Sequence, residues 1–213
     1  MCLCSYTEHG HCGLLDIERE HIDNGRSVTE LARAACEYAA AGADCVAPSD
    51  MMDGRIGAIR RALDGSDLER TLILSYAAKF HSCFYGPFRH AADSAPRSGP
   101  EDRASYQIDP ARPTDALQSA LRDEAEGADI LMVKPGLPYL DVLARLTERI
   151  ARPWAVYEVS GEYAAVEALA SQGLVNAARA HVELWTAFTR AGATMIISYG
   201  ARHARRWLAE AQT

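Results

Sequence analysis

Apolar residues fall along this chain in two textures: stretches spaced by three or four, and short unbroken runs. Ser27-Val28-Thr29-Glu30 has the spacing of a capping box and predicts an alanine-rich helix to about Ala41, with Gly42 just past its end. A short apolar run from Ala43 then stops at Pro48-Ser49. The pattern predicts further helices over about 55–63, 114–126, 162–171 and 176–191, and a last amphipathic one from near Ala201. Strands are predicted over 43–48, 71–77, 129–133, 154–159 and 194–198.

A weak repeat supports this parsing. Ala41-Gly42-Ala43-Asp44, Glu126-Gly127-Ala128-Asp129 and Ala191-Gly192-Ala193-Thr194 each sit where a helix gives way to a strand. That is the rhythm of parallel β/α units. Polar residues then collect just past the strands: Ser49, Asp50, Lys79, Lys134, Ser160 and Tyr199. In a (β/α)₈ barrel that rim carries the active site. Five strands also suit an open doubly wound sheet, and periodicity alone leaves both open. Residues 94–113 hold four prolines and no apolar period, so they are expected to form a functional loop such as a lid.

The chain has 213 residues, 48% of them hydrophobic and 24% charged, with a net charge of −7. These values exclude general disorder and argue against nucleic-acid binding by bulk charge. No apolar run reaches the roughly 18 to 20 residues of a membrane span, and no signal peptide opens the sequence, so a cytoplasmic protein is expected. Six cysteines then point to metal ligands or core thiols rather than disulfides. Cys2, Cys4 and Cys12 follow a C-x-C-x₇-C spacing able to converge on one ion, and thiolates select zinc. Three ligands leave a fourth position for water or substrate. His9 and His11 are expected beside that site rather than on the metal; Cys36 and Cys45 are expected in the core, and Cys83 in packing. Among 22 basic residues only Lys79 and Lys134 are lysines, both past apolar strands. A desolvated lysine with a second ammonium nearby can become a neutral amine and attack a ketone, which arginine cannot.

Several segments occur in a telling order: Cys2-Leu3-Cys4-Ser5-Tyr6-Thr7 with His9-Gly10-His11-Cys12-Gly13; Ala47-Pro48-Ser49-Asp50-Met51-Met52-Asp53-Gly54-Arg55; Ser75-Tyr76-Ala77-Ala78-Lys79-Phe80; Phe84-Tyr85-Gly86-Pro87-Phe88-Arg89; Met132-Val133-Lys134-Pro135; and Val159-Ser160-Gly161-Glu162-Tyr163. Together, from Cys2 to the last helix, the chain resembles the delta-aminolevulinic acid dehydratase (porphobilinogen synthase) family.

The resemblance implies an α/β (β/α)₈ TIM barrel of which about the last five units are present, residues 1–213 forming a partial catalytic domain without the family's N-terminal arm and first strands. It implies condensation of two 5-aminolevulinate molecules to porphobilinogen, for tetrapyrrole synthesis. Lys79 and Lys134 match the Schiff-base lysines, and Cys2, Cys4 and Cys12 the Zn²⁺ ligands. Arg89 and Arg103 match the pair on one substrate carboxylate, Arg103 on the lid; Ser160 and Tyr199 match the groups on the other, and Ser49 a residue near the amino group. Ser119 stands where many bacterial members carry a glutamate tied to an allosteric Mg²⁺, which argues against that site. A homo-oligomer is implied, an octamer in the family, weakened here by the missing arm. The rival readings are a non-catalytic zinc-binding remnant that needs a partner, and another Schiff-base lyase of the aldolase type.

Overall fold

The computed structural model describes residues 1–16, 18 and 20–211, so the last two positions of the expected 1–213 domain lie outside the described residues. In chain order its elements are β1 (Leu14–Leu15), β2 (Ile22–Asp23), α1 (Asn24–Ala40), β3 (Cys45–Val46), α2 (Arg55–Asp64), β4 (Leu72–Lys79), α3 (Gly86–Ala91), α4 (Pro113–Ala125), β5 (Ile130–Lys134), α5 (Leu140–Arg149), β6 (Trp154–Glu158), α6 (Ser160–Ser171), α7 (Ala177–Arg190), β7 (Met195–Ser198) and α8 (Ala204–Glu210). They divide into two compact units: Met1–His81 with Arg89–Met132, and Ser82–Phe88 with Val133–Thr213.

The three glycine junctions are built alike. Gly42, Gly127 and Gly192 have φ of 103°, 104° and 101°, a region that favours glycine. The amides of Ala43, Ala128 and Ala193 bond back to the carbonyls of Tyr38, Asp123 and Phe188 at 3.0, 3.0 and 3.1 Å, closing a Schellman cap on each helix. The chain then steps onto the neighbouring strand: Leu72 N donates to Asp44 O, and Thr194 N to Trp154 O, both at 2.9 Å.

In the first unit the strand order is β3-β4-β5, with β3 parallel to β4 in the register Cys45↔Leu72. Ile73 N also donates to the Asp129 carboxylate at 2.8 Å, just ahead of β5. β4 is buried along nearly its whole length, and Leu31, Ala35, Ile56, Ile59 and Leu63 complete the core from α1 and α2. In the second unit the order is β5-β6-β7, with β6 parallel to β7 from Ala155↔Met195 to Glu158↔Ser198. Leu143 and Leu146 of α5 and Phe188 of α7 are buried there, as are Trp154 and Val156.

Several expectations are corrected. α1 begins three residues before Ser27, and its cap is Asp23, whose carboxylate accepts from Arg26 N at 3.0 Å. Ser27 is buried and occupied elsewhere: it donates to Asp23 O at 2.6 Å and accepts from Leu14 N at 2.8 Å, tying the β1–β2 hairpin to the helix. β3 is two residues long, because beyond Val46 the chain bonds instead to Met1: the Met1 nitrogen donates to Ala47 O at 2.8 Å and Ser49 N to Met1 O at 2.9 Å. The hairpin, α3 and α5 are elements the hydrophobic pattern did not predict. Cys45 is exposed and Cys36 half-buried, so neither is a core thiol, and Cys83, expected in packing, is exposed; among the described residues only β4 pairs with β3, which leaves Cys45 at an edge.

Candidate active site

In the first unit the residues before β1 fold into a tight turn, held at its start by the Met1 bonds. Cys4 and Cys12 are buried and Cys2 half-buried, and the three Sγ atoms lie within 4.8 Å of one another. Among the described residues this is the one such metal-competent cluster, and neither His9 nor His11 belongs to it. Hydrogen bonds from Cys2 and Cys4 hold the Cys12 thiol well below its usual range, with Lys79 and Arg103 adding to the effect. Hydrogen bonds with Cys12 and Cys4, together with burial, push Cys2 up. A thiolate flanked by two thiols and two cations fits a soft divalent ion such as zinc.

Lys79 ends β4 beside this cluster and is only 3% exposed. Its Nζ lies 4.0 Å from Cys12 Sγ, donates to Ser49 O at 2.5 Å and reaches Ser49 Oγ at 3.3 Å. Ser49 thus sits against the Lys79 amine. Below it lies a buried ion cluster that sequence reasoning missed. Arg55 is bidentate to Asp123 at 2.9 and 3.3 Å and lies 3.5 Å from Asp50, all three side chains fully buried. Ser75 donates to Asp123 at 2.5 Å. Burial raises Asp50 despite Arg55.

The proline-rich segment is packed onto the cysteine turn. Ile108 N bonds to Lys79 O and His81 N to Ile108 O, adding a bridge beside the end of β4. Arg103 is 4% exposed, and its Nη2 donates to Gly10 O at 2.8 Å and Ser94 O at 2.6 Å. Ser94 N in turn donates to Arg89 O at 3.1 Å, so the Ser94 backbone links the two arginines. Arg89 itself is half-buried at the end of α3. His11, next to Cys12, is a buried clasp on this segment. Its Nε2 faces Pro100 O at 3.1 Å and so carries the proton, while Nδ1 accepts from Tyr106 OH at 3.1 Å. Tyr106 OH accepts from Cys12 N at 3.3 Å. Burial keeps His11 below the usual histidine range, in line with this neutral form. Ser119 lies in a cavity of about 700 Å³ with Arg112 and Arg122 on its walls, and its Oγ accepts from Arg122 at 3.3 Å. Asp53, Asp109 and Asp115 line the same cavity.

In the second unit Lys134 ends β5, and its Nζ lies over two aromatic rings: 4.3 Å from the Tyr157 centroid and 5.5 Å from that of Tyr85. Tyr85 OH donates to Lys134 O at 3.2 Å. Burial pushes the Tyr157 phenol up to about 12, with Tyr199 beside it contributing. Tyr199 follows β7, 41% exposed, its ring 6.5 Å from Tyr157 and 5.8 Å from Tyr163. Lys134 and Tyr199 are therefore brought together through Tyr157. Ser160 opens α6; its Oγ accepts from Phe88 N at 3.0 Å and donates to Phe84 O at 3.4 Å. The Val159-Ser160-Gly161-Glu162 run owes its composition to close packing: a Cβ on Gly161 would lie 2.5 Å from Phe84 O. Glu162 accepts from the amides of Val159 and Leu137, both at 2.5 Å.

The sequence model of the family described as "Delta-aminolevulinic acid dehydratase" matches residues 1–207. Proteins named delta-aminolevulinic acid dehydratase from Synechococcus elongatus and Bacillus subtilis are each 47% identical, over 98% of this chain and 64% and 63% of their own lengths. One from Methanothermobacter thermautotrophicus is 52% identical over 94% of this chain and 60% of its own. The chain thus spans about three fifths of the length of these relatives. The crystal structure of delta-aminolevulinic acid dehydratase (porphobilinogen synthase) from Toxoplasma gondii, in complex with the reaction product porphobilinogen, is similar with a TM-score of 0.95 and 45% identity, covering 98% of this chain and 59% of that one.

Proposed function

The chain belongs to the delta-aminolevulinic acid dehydratase family, and we propose on that premise that it condenses two molecules of 5-aminolevulinate into porphobilinogen with loss of two waters. The observation that carries this is the buried Lys79 amine 4.0 Å from Cys12 within the three-thiol cluster. A simple aldolase needs a lysine but no such cluster.

Lys134 forms the imine with the first substrate and Lys79 with the second; in each case Nζ attacks the ketone carbon and its oxygen leaves as water. The Tyr85 and Tyr157 faces shield Lys134 from solvent, and Ser49 accepts hydrogen bonds from Lys79 Nζ, orienting the amine, and stands near the substrate amino group. Arg89 and Arg103 hold one substrate carboxylate, and Ser160 and Tyr199 the other. Cys2, Cys4 and Cys12 would hold zinc, which would supply Lewis-acid chemistry there. The strands β3 to β7 are the last five of a (β/α)₈ barrel, residues 1–213 being part of one catalytic domain of a homo-oligomer. Among the described residues no helix is long and apolar enough to cross a membrane, and we place the enzyme in the cytoplasm.

The test is trapping. Incubation with 5-aminolevulinate and borohydride is expected to leave a reduced adduct on Lys134 or Lys79, read by peptide mass, alongside porphobilinogen formation. A chain that forms neither adduct nor product with zinc supplied would refute the reading.

A further inference from the structure

The second unit contains a buried polar network that the proposed chemistry does not use. Glu158, the last residue of β6, has a fully buried side chain that takes three donors. His181 Nδ1 lies 2.9 Å from Oε1, while Trp185 Nε1 at 2.9 Å and Ser198 Oγ at 2.5 Å meet Oε2. His181 is itself buried, with Nε2 3.1 Å from the Glu167 carboxylate. A ring with a carboxylate on each nitrogen must donate from both, so it is an imidazolium. It stacks between Trp207, at 4.8 Å and 1°, and Tyr163, at 5.0 Å and 24°.

Both routes out of this network end at Tyr199. Ser198 gives its hydroxyl proton to Glu158, so its oxygen is free to accept, and Gly200 N donates to it at 2.9 Å. The residues on either side of Tyr199 are therefore tied to one buried carboxylate. Tyr163, stacked on His181, also borders the Tyr199 ring at 5.8 Å. Tyr199 is 41% exposed at a strand end, and beyond this anchoring it meets the Tyr157 phenol on its other side.

We propose that Glu158 is a positioning residue for Tyr199, acting through Ser198, with His181 fixing the Glu158 carboxylate from the core. The inference rests on the proposed role of Tyr199 in holding a substrate carboxylate. A residue that only stabilises the core would change the melting temperature; a positioning residue changes substrate affinity and the state of the Tyr199 ring.

The experiment uses the whole chain with ¹³C-labelled tyrosine and steady-state kinetics on 5-aminolevulinate. In Glu158→Ala the Tyr199 ring resonance is expected to shift or broaden while that of Tyr38, in the other unit, stays put. KM is expected to rise about ten-fold with kcat changed less than about two-fold, the signature of lost binding rather than lost chemistry. Ser198→Ala should act in the same direction by about three-fold, and it keeps the test alive if Glu158→Ala fails to fold. Ser198→Thr restores the hydroxyl and should restore KM. So should Glu158→Gln, whose amide oxygen replaces Oε2 while its NH₂ faces a neutral His181. Combining Glu158→Ala with Tyr199→Phe should raise KM no further than Tyr199→Phe alone. An unmoved Tyr199 resonance, or KM effects that multiply in the double variant, would overturn the proposal. A wild-type chain without turnover whose Tyr199 resonance still responds to Glu158→Ala would count against the proposed function and for the positioning.

Discussion

Lys79 brings an amine into a space bounded by Ser49 and Cys12, with its chain buried. A guanidinium is larger and stays protonated, so it neither fits beside the thiols nor attacks a ketone. Lys79→Arg is expected to lower porphobilinogen formation by at least about 1000-fold while the chain stays folded, checked by kinetics beside circular dichroism. The cysteines give a second expectation: about one zinc per folded chain, lost when Cys2, Cys4 and Cys12 are all changed to serine, by metal analysis. These four residues were legible because lysine and cysteine are scarce here and the three cysteines lie close together in the sequence. The pairing of His11 with Tyr106 and the role of Glu158 were not. His11 and Tyr106 meet across 95 positions, and Glu158 and Ser198 across 40, so neither pair leaves a local pattern.

At the level of elements, the Gly-Ala-Asp and Gly-Ala-Thr junctions announced their helix ends because a Schellman cap is written in neighbouring residues. The Ser27 box misled because the same serine could cap a helix or bridge to a hairpin, and only the folded chain shows Leu14 donating to it. Helix α2 carries its own expectation. Arg55 at its first position neutralises Asp50 and Asp123 inside the core. Arg55→Met leaves both acids without their cation and should cost about 3–5 kcal/mol in urea unfolding, whereas a surface pair such as Arg33–Glu30 should cost under about 1 kcal/mol. On α6, Gly161→Ala should destabilise by about 1–3 kcal/mol, since the new methyl would meet the Phe84 backbone rather than a side chain able to turn aside.

For the molecule as a whole, stability is linked to pH through its buried acids. Burial pushes Glu162 up to about 7, against backbone amides that favour the carboxylate. Its unfolded value is about 4.3. The folded chain keeps this proton where the unfolded chain has lost it, so the contribution is complete below about pH 4.3 and disappears as pH rises through about 7. The stability of the wild type relative to Glu162→Gln is therefore expected to decline from pH 5 to pH 8, measured by urea denaturation at each pH. The five strands were legible from periodicity, but β3 was expected longer than it is, because hydrophobic runs record burial and not which backbone groups a strand end bonds to. The division of the chain into units also fixes an order in time. Residues 82–88 belong with 133–213, and the carbonyl of Phe84 meets Ser160 only 76 positions later. At about 5–20 residues per second on the ribosome, this aromatic stretch waits about 4 to 15 s for the helix that receives it. A nascent chain stalled before Ser160 should thus offer Phe84 and Tyr85 to whatever binds exposed aromatics near the exit tunnel, and one stalled well past Ser171 should offer them less.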